Sequence, residues 1–551
     1  MDYKISNTAK KVTLGIASLG FIFLVIGFFQ QKDFVYATKI DDHTIEVKYN
    51  GNAGAVKQEE LKEVMQNKMR GYELTFHDAT HHNIDSHANH SEEVHSNHAG
   101  ESYANHSEEA HSDHARESHA DHSDEVHSDH VEGSHADHSE HGHHGPTFLW
   151  NVHLSHIASS DHHDGHDESA ADQLSNMINS GEIAFFDSGL RRFWSNLLVN
   201  GFFFFGISLG ALFFLALHYA TESGWAVVLL RVIEGVFSAL PIGMVVLLIV
   251  FIVGTFGGHH IYHWMDPELT DPNSSHFDPI IYGKKAYLNI PFFWIRVIAY
   301  FLTFYLFLLW FKKKSKQEDT NAGTKTHFTM YRRAALFLVF FAVFSSTMAW
   351  DFIMSIDAHW FSTLFGWYVF SGIWLSGMIM VQMITLYLRK NGYLPFVKDS
   401  HIHDVGKWMF ALSFLWSYLW FSQYMLIWYS NIPEEVIYYT ERIANYKILF
   451  FGTFIVNFFF PMVFFMSADT KKSAGYLIVI GLLIFIGHWF DVFNMVMPGT
   501  LFDQWELGLL ELGMFMLFLG FFTYTVLKAI TKSPLLQKNH PYLGESKHHE
   551  V

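Results

Sequence analysis

The 551-residue chain contains no cysteine. It therefore cannot hold an iron–sulfur cluster through thiolates, attach a c-type haem covalently or form a disulfide. Any redox centre it serves must sit largely in partners. No glycine-rich phosphate loop of the P-loop pattern occurs either, which excludes an ATP-driven pump. A b-type haem usually needs histidines on facing helices as axial ligands. Only His488 falls near the middle of an apolar run, while His218, His259, His260, His263 and His359 stand at run ends. Intrinsic haem is not expected, and the chain itself is expected to bind no cofactor.

Half of the residues are hydrophobic and 17% are aromatic, mostly Phe. That composition belongs to a chain that uses lipid as solvent. The first apolar run, Val12 to Phe29, follows Lys10 and Lys11 and precedes Val35-Tyr36-Ala37, which looks like a small-residue cleavage site. Its apolar core exceeds the roughly 7 to 15 residues of a signal-peptide core, so it is read as a retained transmembrane helix. Nine further apolar stretches follow near 196–219, 226–253, 290–311, 333–356, 363–388, 407–429, 446–466, 474–497 and 507–530. Each can cross a hydrocarbon layer about 30 Å thick, giving an all-α integral membrane protein of about ten transmembrane helices. Pro241, Pro291 and Pro461 fall within or at the ends of these runs, where neighbouring helices can re-satisfy freed carbonyls.

Lys and Arg distribution orients the bundle. The 312–333 loop holds Lys312, Lys313, Lys314, Lys316, Lys325, Arg332 and Arg333. Arg389, Lys390, Lys398 and Lys407 mark a second basic loop, and Lys471 and Lys472 a third. If all three are cytoplasmic, both termini are cytoplasmic too, in agreement with Lys4, Lys10 and Lys11 at one end and Lys528, Lys532, Lys538 and Lys547 at the other.

The opposite, periplasmic-type side then receives the most unusual part of the chain. A 16-residue unit recurs over His87 to Ser102, Tyr103 to Ser118 and His119 to Ser134, with a fourth copy degrading after His135. Residues 77–170 carry 24 of the 38 histidines, 20 acidic residues and one basic residue, Arg116. This segment accounts for the whole net charge of −18. Its Ser, Asp, Glu and Gly content argues for a disordered, solvated insertion. Imidazole and carboxylate at such spacings suit divalent zinc, copper or nickel, with His111, His114, His119, His122, His127 and His130 as weak metal candidates. The expected organisation is a first helix at 1–30, a periplasmic segment at 31–76, the insertion at 77–170, a pre-helix segment at 171–195, a nine-helix membrane domain at 196–530 and a cytoplasmic tail at 531–551.

Ionisable residues inside membrane helices are costly and therefore informative. Glu234 lies about two turns into its helix from the cytoplasmic face, whereas Asp351, Asp357, His359, His488, Asp491, Glu506 and Glu511 fall toward the other face. The i, i+3 spacing of His488 and Asp491 puts imidazole and carboxylate on one helical side. Two clusters approaching from opposite faces are what a pair of proton half-channels requires. The plainer reading places the acids near helix ends at the water interface.

The stretches Arg191 to Phe205 with His218 to Trp225, Trp350 to Ser362, and Trp416 to Glu435 resemble the NrfD-like (polysulfide reductase type) membrane subunits of bacterial alternative complex III. They are closer to the subunit type called ActF than to its paralogue ActC. The likeness covers about residues 5–30 and 185–530 and does not explain the His-rich insertion. It implies two four-helix bundles with flanking helices in a bacterial inner membrane. It also implies a place in a quinol:cytochrome c (or oxidase) oxidoreductase. Expected partners are the paralogous NrfD-like subunit, an iron–sulfur subunit, multihaem and monohaem cytochrome c subunits, lipids and a terminal oxidase. Those partners would carry the c-type haems, iron–sulfur clusters and quinone; no nucleic acid is expected. The roles the resemblance implies for this subunit are structural support of the paralogue, a proton path or a degenerate quinone pocket, and support with a proton path is the favoured expectation. Two other classes stay open: a divalent metal-cation transporter with a His-rich loop, and a purely structural assembly subunit. A transporter should gather several ligands at one depth near the bilayer centre, and the sequence offers mainly His488 and Asp491 there, with Glu234 on another helix.

Overall fold

A computed structural model describes residues 3–29, 35–41, 43–50, 62, 65, 66, 69, 72–78, 147–156, 170–179 and 188–550, apart from 260, 275, 276, 322, 503 and 504. Among the described residues nine helical stretches are long and apolar enough to cross a membrane. The chain is a multi-pass membrane protein. The principal helices are α1 (Asn7–Phe29), α2 (Ala170–Asn179), α3 (Ser188–Ala220), α4 (Leu230–Phe237), α5 (Leu240–Thr255), α6 (Ile290–Thr320), α7 (Lys325–Phe352) and α8 (Leu364–Lys390). They continue with α9 (Asp399–Ser430), α10 (Pro433–Asn445), α11 (Lys447–Phe454), α12 (Phe460–Phe465), α13 (Ala474–Leu501) and α14 (Leu509–Ile530). The expected span at 407–429 lies in α9, which is 32 residues long but not among the nine. Its Trp, Tyr and Ser residues stand where the others carry aliphatics.

Two breaks follow from proline chemistry. Pro241 sits in the first turn of α5, where its missing N–H costs nothing, and Ser238 and Ala239 separate α4 from α5. Pro461 opens α12, and the five residues before it, Ile455–Phe459, form a π-helical turn. Such a turn accommodates the hydrogen bond that proline cannot make.

Helix association in lipid has no hydrophobic driving force between helices, so close packing and polar contacts must supply it. α3 is buried over nearly its whole apolar length and packs against α5, α7, α8 and α13. A Cβ at Gly210 of α3 would stand 2.4 Å from the Ile373 carbonyl oxygen of α8. Otherwise exposed, α1 docks along α14. There a Cβ at Gly20 would lie 2.3 Å from Leu517 N, and one at Gly513 would lie 2.3 Å from Leu24 N. Only glycine lets these backbones meet.

Between α1 and α3 lies a four-stranded antiparallel sheet, β1 (Val35–Asp41), β2 (Thr44–Asn50), β3 (Tyr72–Asp78) and β4 (Thr147–His156), in the order β1-β2-β4-β3. Alternation turns Ile45, Val47, Trp150, Val152 and Leu154 inward, and α2 covers them with Ala171, Leu174 and Ile178. Lys39 of β1 pairs with Asp172 of α2 at 2.7 Å. The helical membrane part thus carries an additional α+β unit with its own core. The expected 77–170 boundary of the low-complexity insertion is corrected accordingly. His77 and Asp78 belong to β3, Thr147 to His156 form a strand, and the repeats run between β3 and β4. Counting His153 and His156 into the tract conceals the strand. His111, His114, His119, His122, His127 and His130 lie outside the described residues.

The segment after α14 is also structured. Leu535, Gln537, His540 and Ser546 are buried. The Ser546 hydroxyl donates to Trp225 O at 2.7 Å, and the Ser400 hydroxyl to His549 O at 2.8 Å.

Candidate functional site

Of the six acids singled out from the sequence, five are within reach of an arginine. Asp351, at the end of α7, is fully buried and takes two bonds of 2.8 Å from Arg296 of α6 and one of 2.7 Å from the Tyr300 hydroxyl. Glu511, in the first turn of α14, takes bonds of 2.7 and 2.8 Å from Arg192 of α3 and a third of 2.9 Å from Asn196. Its remaining capacity caps the helix through Gly508 N–H at 2.9 Å. Glu506 is half exposed and lies 3.7 Å from the same Arg192.

Glu234 of α4 pairs with Arg231 at 2.9 Å, one helical turn back. It also accepts from the Ser315 hydroxyl of α6 and from Gln537 Nε2 at 3.4 Å. Arg231 reaches on to Asp319 and, at 3.2 Å, to Ser315 O.

Asp357 is bound at 3.0 Å by Arg442 of α10. The same guanidinium lies over the Tyr438 ring at 3.2 Å and donates to Asn494 O at 3.2 Å. Pro498, inside α13, lacks the N–H that would otherwise bond that carbonyl, so Arg442 repairs the backbone defect. His359 is exposed and stands 2.5 Å from Asp278. Burial raises the Asp278 pKa, but the Ile281 N–H, the His359 imidazole and the Ile280 N–H outweigh it and hold the carboxyl below its usual value.

Arginine clamps of this kind cross-link helices. Arg296–Asp351 joins α6 to α7, and Arg192–Glu511 joins α3 to α14. The cost of a buried acid is legible in the sequence, whereas the arginine that offsets it is not. Each partner lies distant in sequence or just outside the apolar runs, except Arg231, whose i, i+3 spacing to Glu234 is legible.

His488 and Asp491 differ. Both are buried in α13, and His488 lies 14 residues from its start, about 21 Å along the axis. Asp491 accepts the Trp416 indole N–H at 2.9 Å and the Tyr368 hydroxyl. Among the described residues no arginine bonds it, and Arg442 comes no nearer than the border of a shared cavity. His488 Nδ1 lies 3.7 Å from Asp491 Oδ2, and among the described residues neither ring nitrogen has a hydrogen-bond partner. The ring stands edge-on to Trp416, with centroids 5.3 Å apart. Gly372 of α8 faces the pair; a Cβ there would meet His488 Nδ1 at 3.5 Å and Asp491 Oδ2 at 3.7 Å.

Two small cavities of about 20 Å³ each flank Asp491. One is bordered by His488, Gly372 and Ser376. The other is bordered by Tyr368, Gln423, Tyr439 and Arg442, the last of which also binds Asp357. Each matches the space of about one water molecule and offers it several polar partners. A carboxylate, a phenol, an imidazole and two water-sized spaces in series are the parts of a proton relay. The sequence points to His488 and Asp491; Tyr368 and Trp416 come from helices far apart in the chain and carry no local signal.

No protein-family model matches the chain, and no curated protein matches it.

Proposed function

We propose that the chain is a membrane subunit of a quinol-oxidising respiratory complex, and that Asp491 with His488 passes protons through the middle of its helix bundle. The observation that carries the proton role is that the described side chains bonded to Asp491 are the neutral Tyr368 and Trp416, not an arginine. An acid at a helix centre costs about 2.5 to 3.5 kcal/mol on the insertion scale. An adjacent arginine offsets that cost at the clamped acids, while Asp491 relies on the neutral donors Tyr368 and Trp416. Tyr368 continues the route toward Tyr438, Arg442 and Asp357. Glu234, with Ser315 and Gln537, stands at the other end of the bundle as the candidate entry.

The assignment to a respiratory complex rests on the NrfD-like resemblance of Arg191 to Phe205, Trp350 to Ser362 and Trp416 to Glu435. Absence of cysteine supports leaving the iron–sulfur clusters and c-type haems to partner subunits. A bacterial inner membrane, cytoplasmic termini and a periplasmic insertion follow from the resemblance and the basic loops.

The test is Asp491→Asn in the native complex, measured both as quinol oxidation in detergent and as proton-to-electron ratio in sealed vesicles. The expected result is unchanged haem content and quinol oxidation with a reduced proton ratio. An unchanged ratio in vesicles sinks the relay and leaves the second reading, a scaffold subunit. That second reading is favoured by the clamps at Asp351, Asp357 and Glu511, which tie helices together without needing to titrate. Loss of quinol oxidation in detergent would instead place a quinone site in this chain.

A further inference from the structure

At the end of the bundle where the C-terminal segment docks, three potential metal ligands meet from three separate elements. Glu318 ends α6, His327 lies in the first turn of α7, and His540 comes from the segment after α14. All three are buried, and one ligand atom from each lies within 4.8 Å of the others. Among the described residues the Glu318 Oε1 and both ring nitrogens of His327 have no hydrogen-bond partner. Leaving a buried polar atom unsatisfied costs about 1 to 3 kcal/mol, so three in one place point to a missing partner.

We propose that Glu318, His327 and His540 bind a divalent transition metal, with zinc as the best match, and that the ion fastens the C-terminal segment to the helix bundle. Two imidazoles and a carboxylate form a familiar zinc donor set, and a tetrahedral ion at about 2.0 to 2.2 Å from each donor would draw the three atoms together by about an ångström. The surroundings suit that role. Tyr219 donates its hydroxyl to Glu318 Oε2 at 3.3 Å, fixing the carboxylate. Glu222 lies 3.8 Å from His327 Nε2, placed to hold the nitrogen turned away from the metal, as outer carboxylates do at zinc-bound histidines. His540 Nδ1 accepts the Tyr542 N–H at 3.2 Å, a contact that coordination through that nitrogen would replace. A cavity of about 10 Å³ bordered by Tyr219, Glu222, His327 and His540 adjoins the donors.

The site is independent of the proton relay, which lies deeper in α13. None of its three ligands belongs to the His-rich repeats. Neighbouring contacts already lay the segment in place: Gln537 Nε2 donates to Ser315 Oγ at 2.8 Å, and Asn539 Nδ2 to Asp319 O at 3.0 Å. The ion would lock what these bonds only align.

The experiment uses the full-length chain with a tag free of histidine, loaded with zinc and dialysed against a moderate chelator. Wild type should retain one more equivalent of zinc than Glu318→Gln or His327→Gln, the repeats contributing equally to all three. Zinc should also slow tryptic cleavage after the exposed Lys538 at least tenfold in wild type and not in the variants. Equal zinc retention in wild type and folded variants overturns the proposal. Should the variants fail to fold, cleavage of wild type decides alone, and the same rate with zinc and with chelator overturns it.

Discussion

Asp351→Ala offers the sharpest test of whether a buried acid in this bundle is a clamp or a proton carrier. The carboxylate receives both Arg296 bonds at 2.8 Å and the Tyr300 hydroxyl at 2.7 Å. Removing it leaves the buried guanidinium with Tyr287 O at 3.0 Å and the Tyr287 and Phe292 rings at 3.9 and 4.3 Å. Ring faces attract the cation by only about 0.5 to 2 kcal/mol, whereas breaking a buried ion pair from one side costs about 3 to 5 kcal/mol. The pair term wins. A loss of that size lowers the folded-to-unfolded ratio by two to three and a half powers of ten, at about 1.4 kcal/mol per factor of ten. Most of it should return in the double variant Asp351→Leu with Arg296→Met, because neither charge is then left alone. The assay is the SDS fraction at half-unfolding of the detergent-solubilised chain. A single variant as stable as wild type, or a double variant no better than the single, refutes the clamp.

Gly513→Leu should release α1 from α14, since a Cβ there already falls 2.3 Å from Leu24 N; with no native cysteine to interfere, cysteines introduced at Leu24 and Met514 should lose their bismaleimide cross-link. Persistent cross-linking would show that α1 is held by something other than this close approach. Deleting Asp85 to His144 should leave the β-sheet unit folded, because the eight residues remaining between Asp78 and Thr147 exceed the two to five that commonly close a hairpin. Insolubility or loss of protease resistance in that deletion would contradict it. Trp150→Ala, by contrast, removes a core side chain that is 2% exposed and should cost this unit about 3 to 5 kcal/mol, read as a lower urea midpoint for its protease resistance. An unchanged midpoint would remove Trp150 from the core.

Composition and period alone determined that this chain crosses a membrane many times. Apolar stretches of about 20 residues have few alternatives, and the described helices long and apolar enough to cross a membrane fall where those stretches lie. The same logic misses the strand at 147–156, where Trp150, Val152 and Leu154 alternate with Asn151, His153 and Ser155, because His153 and His156 give the segment the histidine content of the repeats. Local sequence also brought His488 and Asp491 to one face of α13, because i, i+3 neighbours are set by helix geometry. Which buried acids are neutralised was a tertiary matter. Arg296 lies 55 residues from Asp351 and Arg192 lies 319 from Glu511, so their pairings exist only once the helices are packed. The Asp491 donors Tyr368 and Trp416 are set by the same packing. So is the meeting of Glu318, His327 and His540, for no sequence period connects the end of one hairpin to a segment more than 200 residues later. Helical period acts over a few residues, while charge neutralisation and ligand geometry depend on distances in space that only the assembled bundle defines.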